Sequence, residues 1–428
     1  MLFNQTLTYI SLFSGAGVGC YGLLEEGFEC VATNEILEKR LNIQRINRKC
    51  KLDESYISGD IKKPETKEKI LKQIGFYSKK FGNDRVDLVV ATPPCQGMSV
   101  ANHKKKNDEI KRNSLVVESI DLIKQIKPRF FILENVPSFY KTGCIDKNDN
   151  LLEIGSMIEQ NLSGDYMLYD EVINFKNFGA NSSRTRTLVI GVCKEFKDFI
   201  SALEFFPDFK QEKTLKEVIG SLKPLAWGEY DSTDFYHSFR TYPKHMQEWI
   251  KDLKEGQSAF ENVQDAISDL AYLCSNEGAF ESDYLNPVQS SYQALMRKDS
   301  PKLYNHQATN HSQAALEKLK LINKEQGKEC LPKNLHGKQK FKSTWGRLNW
   351  NKISPTIDTR FDTPSNGTNS HPELHRSITP REAARIQSFS DNYIFYGNKT
   401  SVCKQIGNAV PPLLALALGK AILKNLRK

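Results

Sequence analysis

Six short stretches of this chain carry side chains able to do chemistry. In Thr92-Pro93-Pro94-Cys95-Gln96-Gly97 two prolines stiffen a turn that presents a single cysteine. Most cysteines are small buried hydrophobes. Cys95 instead stands in a polar, glycine-flanked loop directly after an apolar run, the setting of a nucleophilic thiolate, although no adjacent histidine or lysine supplies a base. Glu134-Asn135-Val136-Pro137 follows the run PRFFIL. A buried carboxyl there would keep its proton and donate to a ring nitrogen, whereas a capping or turn carboxylate would carry the same sequence. Arg184-Thr185-Arg186 precedes the run TLVIGV. Arginines at alternate strand positions point the same way and suit a carbonyl oxygen and a phosphate, or a solvated strand end.

The remaining three stretches suit a nucleoside. Leu12-Phe13-Ser14 runs into Gly15-Ala16-Gly17-Val18-Gly19, a turn whose missing side chains let a ligand approach the backbone. Gly17, Gly19 and Gly22 meet the G-x-G-x-x-G spacing, which many tight turns share. The next apolar run, however, ends at Asn34-Glu35, about twenty residues on, where a carboxylate can accept from ribose hydroxyls. Gly59-Asp60-Ile61 offers an acceptor for an adenine amine with an apolar wall beside it; an exposed acidic turn would read identically.

These stretches need a scaffold that brings them to one edge. Over residues 1–195 the apolar runs TLTYISLF, FECVATN, VDLVVA, PRFFILEN and RTLVIGV alternate with amphipathic segments. The pattern predicts an α/β fold, a doubly wound, mostly parallel, Rossmann-like sheet covered by helices. Each chemical stretch then falls at the strand ends where open α/β sheets bind ligands. Residues 196–345 break into aromatic, polar and basic segments and read as a separate irregular module. Residues 346–390 lead back, with SITPREAARIQSF as a helix capped by Thr379, with Pro380 at its first position and Glu382 three residues after the cap. Residues 391–428 include QIGNAVPPLLALALGKAIL, an apolar helical stretch expected to pack on the N-terminal sheet.

Bulk properties fit a folded enzyme of two or three domains: 428 residues, 39% hydrophobic and 26% charged, so neither disorder nor a fibrous repeat is indicated. The 60 basic against 51 acidic side chains leave +9, which favours polyanions without proving contact with one. Nine scattered cysteines without a C-x-x-C pair exclude a zinc ribbon and a disulfide framework and fit a reducing cytoplasm. No signal peptide is read at the N-terminus, no run is read as long enough to cross a bilayer, and neither export nor a membrane anchor is expected.

Taken in order, the motifs resemble those of the DNA (cytosine-5-)-methyltransferase family, of the bacterial restriction-modification type. LFSGAGVG is similar to its cofactor turn, ATPPCQGMS to its nucleophile loop, FFILENVP to its Glu-Asn-Val motif and FGANSSRTRTLVIGV to its arginine motif. RSITPREAARIQSF and QIGNAVPP resemble the two motifs that follow the variable region. The resemblance covers roughly residues 7–195 and 345–420 and leaves 196–345 as the target-recognition region. Ser11 departs from an acidic residue, Ala91 and Thr92 from small glycines, and Ser182 from a glutamine. None of these removes a residue that bonds to the reacting base.

The resemblance implies the S-adenosylmethionine-dependent methyltransferase fold, S-adenosyl-L-methionine as cofactor without a metal, and methylation of carbon 5 of a flipped-out cytosine in a specific duplex sequence. Cys95 would add to carbon 6, Glu134 would hold ring nitrogen 3 and the exocyclic amine, and Arg184 and Arg186 would complete the catalytic set, with Arg186 on the carbonyl at position 2. Phe13, Gly15, Gly17, Glu35, Ile36, Asp60, Ile61, Pro93, Leu115 and Asn408 fall where the family contacts the cofactor; Phe13 and Ile36 suit a core equally. The loop carrying Ser99, His103, Lys104, Lys105, Lys106, Lys111 and Arg112 is expected to close over DNA phosphates, and a solvated charged loop would look alike. Lys338, Lys340 and Lys342 would give a strand one basic face, for phosphate contact or as edge protection. His306 and His311 lack ligand partners at metal spacing and read as polar loop residues. Double-stranded DNA is the expected partner of a monomeric, cytoplasmic enzyme that protects host DNA alongside a restriction endonuclease it need not touch. The alternatives are a tRNA cytosine-5 methyltransferase and a catalytically inactive DNA-binding member. A nicotinamide dehydrogenase would leave the Pro-Cys and Glu-Asn-Val motifs unexplained.

Overall fold

Every apolar run of the N-terminal half becomes a strand of one sheet. The computed structural model describes residues 6–82, 84–94, 113–196, 262–323, 326–336 and 343–426. The strands are β1 (Thr8–Leu12), β2 (Glu29–Glu35), β3 (Tyr56–Ser58), β4 (Leu88–Ala91) and β5 (Phe130–Asn135), then the short pair β6 (Gly143–Ile145) and β7 (Leu151–Glu153), and finally β8 (Tyr166–Asn174) and β9 (Thr185–Cys193). Seven of them form a sheet in the order β3-β2-β1-β4-β5-β9-β8. The first five run parallel, and β9 lies antiparallel to both β5 and β8. The expected doubly wound, mostly parallel α/β sheet is therefore present. β8 is not among the strands read from the sequence: it is an edge strand, and its central residues are only partly covered, so it lacks the continuous apolar run of its neighbours.

The central strands are apolar throughout because helices cover both faces. Alternate residues of one strand go to opposite cores. Ile10, Leu12, Val89, Ala91, Phe131 and Leu133 meet Ile70 of α3 (its helix, Pro64–Phe81, follows α1, Tyr21–Glu25, and α2, Glu38–Ile46), Ile120 of α4 (Leu115–Ile126) and Ile158 of α5 (Ile154–Leu162). Tyr9, Leu88, Val90, Phe130, Ile132 and Leu188 meet Leu23 of α1 and Leu414, Leu418 and Ile422 of the C-terminal helix Pro412–Leu426. That helix thus returns to the N-terminal sheet as expected. The crossing with α1 is tight: a Cβ on Gly22 would lie 2.1 Å from the carbonyl oxygen of Pro412.

The apolar stretch is two helices, Lys399–Gly407 and Pro412–Leu426, because consecutive prolines break it. By length and composition the segment Lys399–Leu426 could cross a membrane, which corrects the expectation that no run is long enough; 72% of its most apolar window is nevertheless buried inside the protein.

A third core joins parts distant in sequence. Val263, Ile267, Tyr292, Met296 and Leu303 pack with Leu348, Ile357, Phe361, Ala383, Ala384, Phe389 and Phe395, and with Ala16 and Ile43 of the sheet domain. At its centre lies the helix Pro380–Ile386. Thr379 accepts from the Glu382 amide and Glu382 accepts from the Thr379 amide, the predicted reciprocal cap. Arg376, Arg381 and Arg385 are fully buried around it. Arg376 grips both oxygens of Glu382 at 2.7 Å. Arg381 donates to the carbonyls of Tyr304, Ser390 and Tyr393, and Arg385 to Asp391 and Asp269. Two small ladders flank this core, β10 (Gly278–Ser282) with β11 (Leu303–Gln307), and β12 (Gly346–Arg347) with β13 (Thr368–Ser370).

His306 is not a loop residue: it lies buried in β11, with its ring nitrogens 3.0 Å from the Thr379 hydroxyl and the Ala271 carbonyl. His311 sits 3.1 Å from the Ser377 hydroxyl, and burial pushes it down to about 4. Among the described residues no group of His, Cys, Asp or Glu could hold a metal ion.

Candidate functional site

The strand order reverses between β1 and β4, and in such sheets the ligand crevice opens outside the carboxyl ends of those two strands. A cleft of about 770 Å³ lies there. Its walls come from the turn after β1, the ends of β2 and β5, the residues after β3 and β4, the start of α4, the approach to β9 and the helix Lys399–Gly407. Because β9 is antiparallel to β5, its beginning reaches the same edge, with Thr187 opposite Asn135 and Leu188 opposite Glu134.

The turn after β1 is bent where an ordinary side chain would not allow it. Phe13, Gly15 and Gly17 have φ of 54°, 55° and 89°. A Cβ on Gly15 would meet nothing within 4 Å, so its backbone faces open cleft, whereas one on Gly17 would lie 2.7 Å from Gln44 Cγ. Gly17 therefore serves the turn from behind, and it does not line the cleft. Gln44, 2.7 Å from both the Ser14 hydroxyl and the Gly15 carbonyl, donates to each. It also accepts from Thr33, to which the buried Lys49 donates. Gln44 and Lys49 were not anticipated; their signal, polar residues among apolar positions of α2 and just after it, is too common to stand out.

Glu35 is buried at the end of β2 and accepts from the amides of Gly15 at 2.9 Å and Leu37 at 3.1 Å. Next to it Ile36 is 60% exposed although apolar, and it faces the cleft. Asp60 caps its own turn by accepting from the Lys62 amide, and Ile61 is buried beneath it. Phe13, Gly15, Glu35, Ile36, Asp60, Ile61, Pro93, Leu115 and Asn408 all line this cleft.

Glu134 and Arg186 form the opposite wall. Arg186 Nε lies 3.0 Å from a Glu134 oxygen. Burial pushes the Glu134 carboxyl above the usual carboxylate range, outweighing the nearby charges of Arg186 and Arg184. Behind it a small, mostly apolar pocket is lined by Leu23, Ile132, Leu188, Leu414 and Leu418, so on that side little solvates an ionised form, and its compensation comes from the arginines. Arg184 also borders the cleft, yet its Nη1 donates to the carbonyls of Ile357, at 3.3 Å, and Gly407. Asn135, beside Glu134, was overlooked although it stands in the same motif. Its Nδ2 donates to the Pro93 carbonyl at 2.9 Å and its Oδ1 accepts from the Val136 amide. Thr92 donates to the Phe13 carbonyl at 3.1 Å. The turn that leads to the cysteine is thus anchored to both neighbouring strand ends up to Pro94. Cys95 itself lies outside the described residues, as do Ser99, His103, Lys104, Lys105, Lys106, Lys111, Arg112, Lys338, Lys340 and Lys342. Of the substituted positions, Ser11 accepts from Cys20, whereas Ser182 pairs with Ser354 through a backbone bridge and its hydroxyl is buried without a hydrogen-bond partner among the described residues.

Comparison with known proteins follows this geometry. A model of the family described as C-5 cytosine-specific DNA methylase matches residues 7–424. The type II methyltransferase M.DdeI of Desulfomicrobium norvegicum is 30% identical over 357 residues, 79% of this chain and 72% of that protein. The type II methyltransferase M1.HphI of Haemophilus parahaemolyticus is 25% identical over 425 residues, 99% of this chain and 88% of that protein. A solved structure, a prophage-encoded candidate DNA modification methyltransferase (E. coli), shares the fold with a TM-score of 0.64 at 22% identity, covering 99% of this chain and 100% of that one.

Proposed function

The chain belongs to the C-5 cytosine-specific DNA methylase family, and from that premise we propose that it methylates carbon 5 of a flipped cytosine through a covalent bond to Cys95. It is a DNA (cytosine-5-)-methyltransferase, and S-adenosylmethionine is the donor its family implies. The residues present suit that cofactor: Gly15 leaves the backbone open to a ligand, Glu35 and Asp60 offer carboxylate oxygens, and Ile36 offers an apolar surface. Phe13, Ile61, Pro93, Leu115 and Asn408 would complete its walls, with Gly17 shaping the turn. When bound, the cofactor supplies an electrophilic methyl group.

The observation that carries the mechanism is the Glu134–Arg186 pair facing a cleft whose far wall suits a nucleoside. A base cannot enter while stacked, so it leaves the duplex at a cost of about a few kcal/mol. The Cys95 thiolate bonds to carbon 6, and the electron pair of the 5,6 double bond moves to carbon 5. Glu134, whose carboxyl is pushed toward its protonated form by burial, donates to ring nitrogen 3 as charge grows there. Arg186 supports the carbonyl at position 2. Pre-placed donors of this kind contribute about 3 kcal/mol each. Carbon 5 takes the methyl group, gives its proton to water or hydroxide, and the thiolate leaves as the double bond re-forms.

We assign DNA recognition to residues 196–345, with 346–390 linking back and 391–428 completing the catalytic domain; Ser99, Lys104, Lys105, Lys106, Arg112, Lys338, Lys340 and Lys342 are the phosphate contacts. The relatives named as type II methyltransferases support a role in host protection within a restriction-modification system, which we place in the cytoplasm and assign to a monomer. Duplex DNA carrying 5-fluorocytosine has no carbon 5 proton to lose and should trap an adduct that maps to Cys95. Cys95→Ser should abolish both the adduct and transfer of labelled methyl groups to duplex DNA. An adduct on another cysteine would overturn the nucleophile, and labelling of tRNA without DNA would overturn the substrate.

A further inference from the structure

Glu35 has more hydrogen-bond donors than its proposed ligand can tolerate. An ionised carboxylate offers about four lone-pair sites. One oxygen accepts from the Gly15 amide at 2.9 Å and the other from the Leu37 amide at 3.1 Å. Arg40 Nη1 then reaches both oxygens, at 3.3 and 3.4 Å. The carboxylate is thereby saturated: two backbone donors and one guanidinium spread over both atoms. A ribose diol brings two further hydroxyl donors and needs one lone pair on each oxygen. Something must give way.

The two amides belong to backbone that is held in place, since Gly15 sits in the turn fixed by Gln44 and Leu37 leads into α2. Arg40 is the only flexible donor of the three. Its bonds are the longest, its side chain is 34% exposed against 4% for Glu35, and both residues line the cleft.

We propose that Arg40 is a displaceable latch on the nucleoside site, holding Glu35 until a ribose diol takes its place. This rests on the reading of Glu35 as the ribose acceptor. Arg40 on this account sets affinity: part of the ligand's binding free energy goes into breaking an ion pair that the folded protein already makes. The pair is partly exposed to solvent, and such pairs are weak, so its removal should be felt as a change of about two- to five-fold in Kd.

The test is calorimetric binding of S-adenosylhomocysteine, and of its 2′,3′-dideoxy analogue, to the full-length protein and to Arg40→Ala, Arg40→Gln and Glu35→Gln. The latch predicts that both Arg40 variants bind S-adenosylhomocysteine about two- to five-fold more tightly, with no gain for the analogue that lacks the diol. Unchanged or weaker binding by the Arg40 variants would overturn it, as would an equal gain for the dideoxy analogue, which would make the effect one of net charge. Glu35→Gln tests the underlying reading separately. If it leaves the preference for the diol-bearing ligand intact, Glu35 is not the ribose acceptor and the latch falls with it. If it erases that preference while Arg40→Ala changes nothing, the acceptor stands and the latch alone fails. Thermal melts of each variant confirm that the fold is retained, and agreement between Ala and Gln at position 40 excludes a local packing effect.

Discussion

Replacing Glu134 by Gln should cost activity and gain stability, and the two effects have one cause. Gln is a fixed imitation of the protonated carboxyl: the same shape, neutral, and still able to accept from Arg186 Nε, which lies 3.0 Å away. Its amide N–H can still donate a hydrogen bond, but it has no acidic proton to deliver to ring nitrogen 3, and losing a general acid costs about 10²–10⁴ in kcat. Glu134→Asp fails differently. Shortening the side chain by one carbon–carbon bond, about 1.5 Å, opens the 3.0 Å contact to roughly 4.5 Å, beyond hydrogen-bond reach, so the acid is kept and its alignment lost. For stability, burial raises the Glu134 carboxyl above its ordinary value of 4.5. The folded chain then keeps this proton at pH values where the unfolded chain has released it, so stability falls as pH rises from the unfolded value through the folded one. Gln carries no such cost. The parent and the variant should therefore be equally stable below about pH 4.5, and the variant should lead increasingly above it, by about 0.5–2 kcal/mol, the usual yield of relieving one unfavourable site. Urea titrations from pH 4 to pH 9 measure the gap, and single-turnover methyl transfer measures the rate. A variant less stable than its parent at pH 8, or a gap that narrows as pH rises, would refute the argument that burial dominates at Glu134.

Arg186→Ala should lower the single-turnover rate by about 10²–10³ and, by removing a nearby cation, drive the Glu134 carboxyl still higher, so the stability loss on raising the pH should extend to more alkaline values than in the parent. Asn135→Ala removes the hydrogen bond that sets the strand end against Pro93 and the one accepted from the Val136 amide, each of about 1 kcal/mol; trapping on 5-fluorocytosine duplex should slow about tenfold or more while the Kd for S-adenosylhomocysteine stays unchanged. Glu382→Gln leaves Arg376 buried without its counter-charge and should cost about 3–5 kcal/mol, read as a lower urea midpoint. Although burial opposes it, Arg376 holds the Glu382 carboxyl well below the usual range, so the parent keeps this stabilisation above the unfolded carboxylate value and loses it only in strong acid.

The sheet was legible because its strands are buried on both faces and spell continuous apolar runs, and the capped helix was legible because Thr379, Pro380 and Glu382 each act within four residues of one another. β8 was not, since one side of an edge strand faces water and Asp170 and Glu171 interrupt its run. The site divides in the same way. Residues that act through backbone shape or a strand end, such as Gly15, Glu35 and Glu134, have local signatures. Residues that act by holding another residue do not: Asn135 meets Pro93 across 42 positions, and Tyr393 donates to the Ala16 carbonyl across 377. Nothing within a window of sequence encodes such a meeting. The lack of ligand partners at metal spacing reads His306 as a polar loop residue, yet it lies buried in β11 beside Asn305, with Asn305 bonded to Phe395 and His306 to Thr379 and Ala271. Tertiary pairing, not composition, decided their burial.

Arg184 and Arg186 show how far two matching residues can diverge. At alternate positions of an extended strand they would point the same way, but β9 begins only at Thr185, and Arg184 lies in the segment before it. Arg186 turns to Glu134, at the wall where the base would sit. Arg184 turns to carbonyls 173 and 223 positions further on, those of Ile357 and Gly407. Gly407 has no room for a side chain, since a Cβ there would lie 2.3 Å from the Asp358 carbonyl oxygen, and the next residue, Asn408, lines the cleft. One guanidinium thus fastens the approach to a catalytic strand to the returning end of the chain, at the point where that end becomes a wall of the nucleoside site. Residues 196–345, to which we assign DNA recognition, lie between these partners in sequence. On the mechanism we propose, Arg184 would act on methyl transfer through the cofactor wall and Arg186 through the base.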